Sequence, residues 1–152
     1  MQAETIEIVR LEPMRVARVW AFAPNPEEQA WQKLTAFAGP RGLLTAGHRI
    51  FGFNNPNPSA GSPNYGYEYW ITVDGDVAPA AAVEIMAAPG GLYAALHADV
   101  TGDYGVTIPA AWQRLDSWVA ASAYRHGVHQ WLEEHSPAGV PFAFYYPLAE
   151  YA

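Results

Sequence analysis

The chain has 152 residues, of which 51% are hydrophobic and 15% charged, and 8 basic against 15 acidic side chains give a net charge of −7. One domain spanning residues 1–152 is expected at this length. The absence of cysteine excludes disulfides, thiolate metal sites and a cysteine nucleophile, and it is typical of cytoplasmic proteins. The acidic balance argues against direct nucleic-acid binding, and no apolar run is long enough for a membrane span. Residues 1–4 carry an acid where a signal peptide requires basic residues.

Aromatic residues are more numerous than a core of this size requires. The chain has 6 Trp, 9 Tyr and 6 Phe, together with 13 Gly and 13 Pro. The many glycines and prolines favour short elements joined by turns over a helical bundle. The surplus of aromatic side chains indicates a binding surface.

The first half of the chain predicts two strands, a helix and two further strands. Asn25 is the expected N-cap of the helix, Pro26 its first residue, and Gly39 with Pro40 its end. Alternating apolar residues predict the strands, and the stretch with three prolines at 54–64 predicts a surface loop. The predicted strands span residues 5–11, 14–22, 49–53 and 67–73.

The second half predicts a similar order after an Ala- and Pro-rich linker at residues 77–82. Asp103 to Gly105 is expected to be loop, and Ile108-Pro109 to begin a helix that runs to about Tyr124. The segment 130–134 could be a strand or a helical turn, since its residues suit both. The other predicted strands span residues 83–86, 92–98 and 142–146.

A short repeat relates the two halves. Ala-Trp-Gln-Lys-Leu at 30–34 matches Ala-Trp-Gln-Arg-Leu at 111–115, in the predicted helix of each half. Pro13 and Pro89 mark what we expect to be corresponding hairpin turns. The sequence therefore predicts an α+β fold made of a duplicated β-β-α-β-β unit, with repeats at about 5–75 and 83–148. Two such units would meet about a pseudo-twofold axis and enclose a central groove.

Strand alternation assigns side chains to the groove. Tyr67, Tyr69, Ile71 and Val73 belong under the helix, which places Glu68 and Trp70 on the opposite face. In the later segment we expect Leu132 in the core, with Trp131 and Glu133 facing the groove. Tyr93 alternates with the core residues of its strand, and Tyr145 alternates with Phe144 and Tyr146.

A carboxylate beside a tryptophan suits a flat or cationic ligand. The alternative is that Glu68 and Glu133 are solvated strand residues and the tryptophans are ordinary core. The sequence contains no nucleophile-elbow, phosphate-loop or zinc-protease motif, and it predicts no cofactor. His126, His129 and His135 are too widely spaced along a strand to form a good chelate, so no metal site is predicted.

Four segments carry a resemblance to a known family. They are the strand 65–73 with its Tyr-Glu-Tyr-Trp core, the preceding 51–56, the turn and strand start at 89–93, and 129–135. In these segments the chain resembles the GyrI-like small-molecule-binding superfamily, over about residues 5–148. This superfamily includes the effector-binding domains of AraC-class and multidrug MerR-class regulators.

The resemblance implies two strand-helix-strand-strand modules and an aromatic groove that holds an acid and binds hydrophobic, often cationic, drugs. On this chain it points to Glu68, or Glu133 in the second half, with Trp70, Tyr93, Trp112 and Tyr145 as lining. The sequence does not choose between the two acids. The expected partner is a lipophilic or cationic small molecule, and the chain could act as a homodimer or with a separate regulator chain.

Two alternative functions stay open. Some stand-alone members of the superfamily are similar to hydrolases that open the cyclopropane ring of DNA-alkylating compounds. On this hypothesis Glu68 or Glu133 would orient water or stabilise charge, and Tyr93 or Tyr145 would donate a proton. The other alternative is a protein-interaction module such as a gyrase modulator. The sequence therefore leaves open whether the protein is an enzyme.

Overall fold

The computed structural model describes residues 5–149. The acidic tetrapeptide at 1–4 and the last three residues of the predicted domain lie outside the described residues. The described elements have helices joined to antiparallel strands, which confirms the predicted α+β class. In chain order they are β1 (Ile6–Leu11), β2 (Met14–Ala23), α1 (Pro26–Ala38), a 3-10 turn (Leu43–Thr45), β3 (Ile50–Asn54), β4 (Tyr65–Thr72), β5 (Glu84–Ala88), β6 (Gly91–His97), α2 (Tyr104–Ala120), β7 (Arg125–His126), β8 (Leu132–His135) and β9 (Pro141–Ala149).

The chain divides into two compact units that each contain one helix. The α1 unit consists of Met14–Ala88 and His135–Val140. Among the described residues, the α2 unit consists of residues 5–13, Pro89–Glu134 and residues 141–149. Each unit is therefore assembled from separate stretches of sequence.

In the α1 unit, helix α1 packs on one face of an antiparallel sheet ordered β3-β4-β2-β5. The alternate residues Tyr67, Tyr69, Ile71 and Val73 pack in the same core as the helix residues Ala30, Leu34 and Phe37. The prediction that these four residues lie under the helix is confirmed. Each fully buried aliphatic or aromatic side chain of this kind contributes roughly 1.5–3 kcal/mol of transfer free energy.

In the α2 unit, helix α2 covers a sheet in which β6 lies between β1 and β9, and β7 and β8 adjoin β9. The buried helix residues Ala111, Leu115 and Val119 share a core with Leu96 and Phe144. Leu92 and Trp118 pack against that core, as the alternation and helical spacing predicted. Tyr146 and Leu148 of β9 complete it.

The predicted hairpin turns at Pro13 and Pro89 are wrong. Within residues 5–149, β1 pairs with β6, and β5 pairs with β2, so neither turn joins two paired strands. Two-residue hairpins require positive φ at the turn, which the ring of Pro13 forbids. The turn after Pro89 does have positive φ, at Gly90 and Gly91. Gly90, however, packs against the Leu11 carbonyl of β1, which a Cβ at residue 90 would approach to 2.1 Å.

Helix α1 begins at Pro26 and ends at Ala38, as expected, although the Asn25 side chain makes no capping hydrogen bond. Helix α2 begins a turn earlier than predicted, because the Asp103 carboxylate accepts a hydrogen bond from the Gly105 amide and caps the first turn. Pro109 consequently lies inside the helix, and the helix ends at Ala120.

The alternatives for segment 130–134 resolve to a strand, β8, that begins at Leu132. Among residues 5–149 no helix has both the length and the apolar composition that a membrane crossing requires.

Candidate functional site

Glu68 lies at the centre of β4, on the face of the sheet opposite helix α1. Only 3% of its surface is exposed. Oε2 is 2.8 Å from the Arg18 Nε and accepts a hydrogen bond of 2.6 Å from the Trp70 Nε1. The Asn55 Nδ2 donates to Oε1 at 3.2 Å. A buried carboxylate needs such donors, because its transfer out of water would otherwise cost several kcal/mol.

Arg18 connects this buried acid with an exposed one. Arg18 stands opposite Trp70 in the β2–β4 register, which places its side chain on the same face as Glu68. The Arg18 Nη1 also approaches Glu84 Oε2 at 3.6 Å, and the Glu84 side chain is 73% exposed. The Glu68 carboxylate therefore has its charge balanced by a cation of the α1 unit itself.

The same face of the α1 unit carries four further aromatic rings. Trp70 packs edge-on against Phe53, with centroids 4.9 Å apart. Trp20 lies opposite Glu68 and Phe22 opposite Gly66 in the strand register. The Trp20 and Phe22 rings stack with centroids 6.1 Å apart and are 40% and 48% exposed. Phe51 faces Trp70 across the β3–β4 pair.

Gly66 makes this arrangement possible. A Cβ at residue 66 would lie 1.7 Å from the Asn55 carbonyl oxygen. That oxygen accepts a 2.7 Å hydrogen bond from the Trp20 Nε1, while the Asn55 amide holds Glu68. The close approach at Gly66 thus lets one residue, Asn55, position both the exposed indole and the buried acid.

The α2 unit holds a second buried acid, Glu134 of β8, which is 7% exposed. The Tyr145 hydroxyl donates a 2.6 Å hydrogen bond to the Glu134 Oε1. Tyr145 belongs to the face of β9 that points away from α2, since its neighbours Phe144 and Tyr146 lie in the α2 core. Tyr93 packs edge-on against Tyr145, with centroids 5.9 Å apart.

Tyr93 is held by contacts with the loop before β8. Its hydroxyl donates a 2.6 Å hydrogen bond to the Gln130 carbonyl, and its ring lies edge-on to His129, with centroids 4.8 Å apart. Burial raises the pKa of Tyr93 to about 12, so the hydroxyl is protonated at neutral pH. The His129 Nε2 in turn contacts the Leu92 carbonyl at 2.8 Å.

Trp131 does not lie where the alternation placed it. Trp131 contacts Trp112 and Tyr146, at centroid distances of 5.3 and 4.3 Å, and both partners pack on the α2 side of the sheet. Glu133 alternates with Glu134 along β8 and is half-buried. Leu132 is buried, as predicted, and Glu134, which alternates with Glu133, is buried and accepts a hydrogen bond from Tyr145.

The structure thus brings the predicted site residues together in three groups. Glu68 and Trp70 are bonded to each other in the α1 unit. Tyr93 and Tyr145 pack together in the α2 unit, and Trp112 and Trp131 pack together on the other side of its sheet. The sequence reasoning missed Glu134, Arg18 and the Trp20–Phe22 pair. Strand alternation from Val19 and Ala21 was the signal for the last of these.

Comparison with known proteins identifies relatives of this architecture. The family model of the GyrI-like small molecule binding domain matches residues 4–134. No curated protein sequence matches the chain significantly.

Several solved structures have a similar fold. The C-terminal domain of EcmrR is 13% identical with a TM-score of 0.71, over 99% of this chain and 100% of that one. In the EcmrR–DNA complex this chain spans 58% of the EcmrR chain. A hydrolase from Listeria innocua is 11% identical with a TM-score of 0.69, over 95% and 91%. SAV2435 bound to tetraphenylphosphonium is 13% identical with a TM-score of 0.54, over 95% and 94%.

The two carboxylates that contact Arg18 give a test of the buried acid. Glu68→Gln is expected to lower the free energy of unfolding by about 2 kcal/mol, because it leaves Arg18 with a buried neutral partner. The matched change Glu84→Gln removes an exposed carboxylate and should cost less than about 0.5 kcal/mol. Urea unfolding of the two variants and the parent measures the difference. Equal losses of unfolding free energy in the two variants would contradict the burial of the Glu68 carboxylate against Arg18.

The raised pKa of Tyr93 predicts a pH dependence of stability. The folded state favours the protonated hydroxyl, so this contribution is fully present below pH 10 and is lost as pH rises towards about 12. Tyr93→Phe should flatten the fall of the thermal midpoint over that interval. Tyr65, whose pKa is also raised to about 12, by burial first and then by its hydrogen bond with Glu27, serves as the comparison through Tyr65→Phe. A Tyr93→Phe profile that coincides with that of the parent would contradict the assignment.

Proposed function

Because this chain belongs to the GyrI-like small molecule binding domain family, we propose that it binds a lipophilic cation or a planar aromatic molecule against buried carboxylate and aromatic side chains. The observation that carries the proposal is the group of Glu134, Tyr145 and Tyr93 in the α2 unit. Its two rings and its acid are buried, and the acid is bonded to a tyrosine hydroxyl. A cation placed there would gain both charge and ring-face attraction, about 0.5–2 kcal/mol for each ring.

Of the buried acids, we assign charge recognition to Glu134. The carboxylate of Glu68 is paired with Arg18 at 2.8 Å, so a cation of the protein already occupies the position beside it. The Glu134 carboxylate lies against two aromatic rings of its own unit, since Tyr145 donates to it and Tyr93 packs edge-on against Tyr145. A negative charge in a desolvated setting attracts a cation more strongly than one in water does.

The α1 unit offers a second surface of related composition. Trp20 and Phe22 present exposed rings on the face that carries Glu68 and Trp70. The repeated Ala-Trp-Gln pentapeptide in α1 and α2 supports a duplicated origin, in which each unit contributes one acid–aromatic face. Within the α1 unit the compensated acid fixes Trp70 through the 2.6 Å bond.

Titration with tetraphenylphosphonium tests the proposal. Quenching of tryptophan fluorescence should saturate, and Glu134→Gln should weaken the affinity about tenfold, the effect of losing roughly 1.4 kcal/mol. Glu133→Gln is the matched control, because it removes the same charge one residue away on the other side of β8. It should change the affinity less than about twofold.

Two results would contradict this function. Equal effects of Glu134→Gln and Glu133→Gln would mean that the cation responds only to overall charge. An unchanged affinity in Glu134→Gln combined with a loss in Glu68→Gln would assign recognition to the α1 unit instead. Isothermal titration with a neutral analogue of the same shape separates charge recognition from apolar burial. A tetraphenylmethane made soluble by a polar substituent is such an analogue.

The Tyr145–Glu134 pair also favours a second candidate, hydrolytic opening of a cyclopropane fused to a dienone. Glu134 would accept a proton from an attacking water, while Tyr145 would turn from Glu134 and donate its proton to the dienone oxygen. The water oxygen bonds to the ring carbon, and the cleaved C–C electron pair completes the phenol. Proton return from Glu134 to Tyr145 across their hydrogen bond would restore both groups.

Product analysis separates this hydrolysis from binding. Excess of a cyclopropane-bearing substrate over protein should give a ring-opened phenol with many turnovers. Tyr145→Phe should lower the rate about 100-fold, the usual contribution of a general acid. Tyr93→Phe removes a neighbouring hydroxyl that is already committed to Gln130 and serves as the control. Stoichiometric binding without product would exclude the hydrolase function.

A further inference from the structure

A pocket in the α1 unit lies on the helix side of its fold and is separate from the faces described above. Its open volume is about 300 Å³. Lys33, Ala36 and Phe37 of α1 form one wall, Arg41 stands just beyond the helix, and residues 80–83 form the opposite wall. Lys33, Ala36 and Phe37 follow helical spacing, so their side chains emerge on one side of α1.

Small side chains create this space. Ala36 on the helix faces three consecutive alanines, residues 80–82, across the pocket. Reciprocal hydrogen bonds of 3.2 and 3.0 Å between Ala80 and Val83 fix the shape of that segment, and Ala82 has a φ of 63°. Phe37 and Val83 are buried beneath, so the floor of the pocket is apolar.

Two cations converge on this apolar pocket in a chain whose net charge is −7. Lys33 Nζ donates one 2.7 Å hydrogen bond to the Trp20 carbonyl. The Arg41 Nη1 donates to the Phe37 carbonyl at 2.8 Å, and the guanidinium carbon lies 4.0 Å from the centroid of the Phe37 ring. Within residues 5–149 neither cation forms an ion pair with a carboxylate.

The anchoring bonds leave most of the donor capacity unused. An ammonium has three donors and a guanidinium five, and each group here commits one to a backbone carbonyl. These bonds hold both cations beside the pocket, which reduces the entropy lost when a ligand binds. The bond from Arg41 also covers a carbonyl at the negative end of helix α1, which would otherwise repel an anion.

We propose that this pocket binds a small organic monocarboxylate, whose apolar body rests on Phe37, Ala36 and Val83 while its carboxylate is held by Lys33 and Arg41. The volume matches the lower end of ligand pockets, which limits the occupant to a short aliphatic chain or a single ring. The specificity is opposite in sign to that of the proposed cation site, so the two can be tested independently.

Octanoate is the probe for this site. In backbone amide NMR spectra, octanoate should cause saturable shifts at residues 80–83 and at the end of α1. Octanol and octylammonium, which have the same apolar body without the anion, should bind about tenfold more weakly. Lys33→Gln and Arg41→Gln should each weaken octanoate binding about fivefold, as expected for loss of one partly exposed ion pair.

Matched variants distinguish the pocket from general effects. Ala36→Leu fills the pocket and should abolish the shifts, whereas Gln29→Leu at an exposed position about two turns earlier in the same helix should not. Arg114→Gln in α2 makes the same charge change as Lys33→Gln and should leave octanoate binding unchanged, as should Glu134→Gln. Binding that survives Ala36→Leu, or that is equally tight for octanol, would overturn the proposal whatever the result for tetraphenylphosphonium.

Discussion

The compensation of Glu68 is the constraint on which the sheet face of the α1 unit depends. A carboxylate with 3% exposure in the middle of a strand is stable only when donors replace the water it has lost. Arg18, Trp70 and Asn55 supply those donors from β2, from β4 itself and from the loop after β3. One buried charge therefore fixes the rotamers of a cation, an indole and an amide.

The same physical rule gives a different result in the α2 unit. There the buried carboxylate of Glu134 accepts a hydrogen bond from Tyr145, a neutral donor, and Tyr93 packs beside it. The acid of the α1 unit therefore holds a cation and an indole in place, whereas the acid of the α2 unit holds the hydroxyl of a tyrosine. The donors that neighbouring strands provide therefore decide which side chains each buried acid holds in place.

Charge is also sorted between the two sides of the α1 unit. The face opposite α1 carries the compensated acid and its aromatic rings, whereas the pocket beside α1 has an apolar floor and two cations. Strand alternation separates the first set from the core, and helical spacing gathers the second set on one side of α1. Two cations are therefore gathered at one pocket although the chain as a whole is acidic.

The sequence by itself determined the α+β class, the face of β4 that carries Glu68 and Trp70, and the core of both helices. Alternation and helical periodicity are local properties, and they hold wherever a long periodic segment folds. The tertiary structure decided the remaining features: the pairing of β1 with β6, the first turn of α2 and the burial of Glu134. Each depends on a contact that the local pattern does not encode. Tyr145 donates to the buried Glu134, and Asp103 caps helix α2 ahead of Pro109. A segment as short as β8 has no strong periodicity, so only its partner strand determined which side of it is buried.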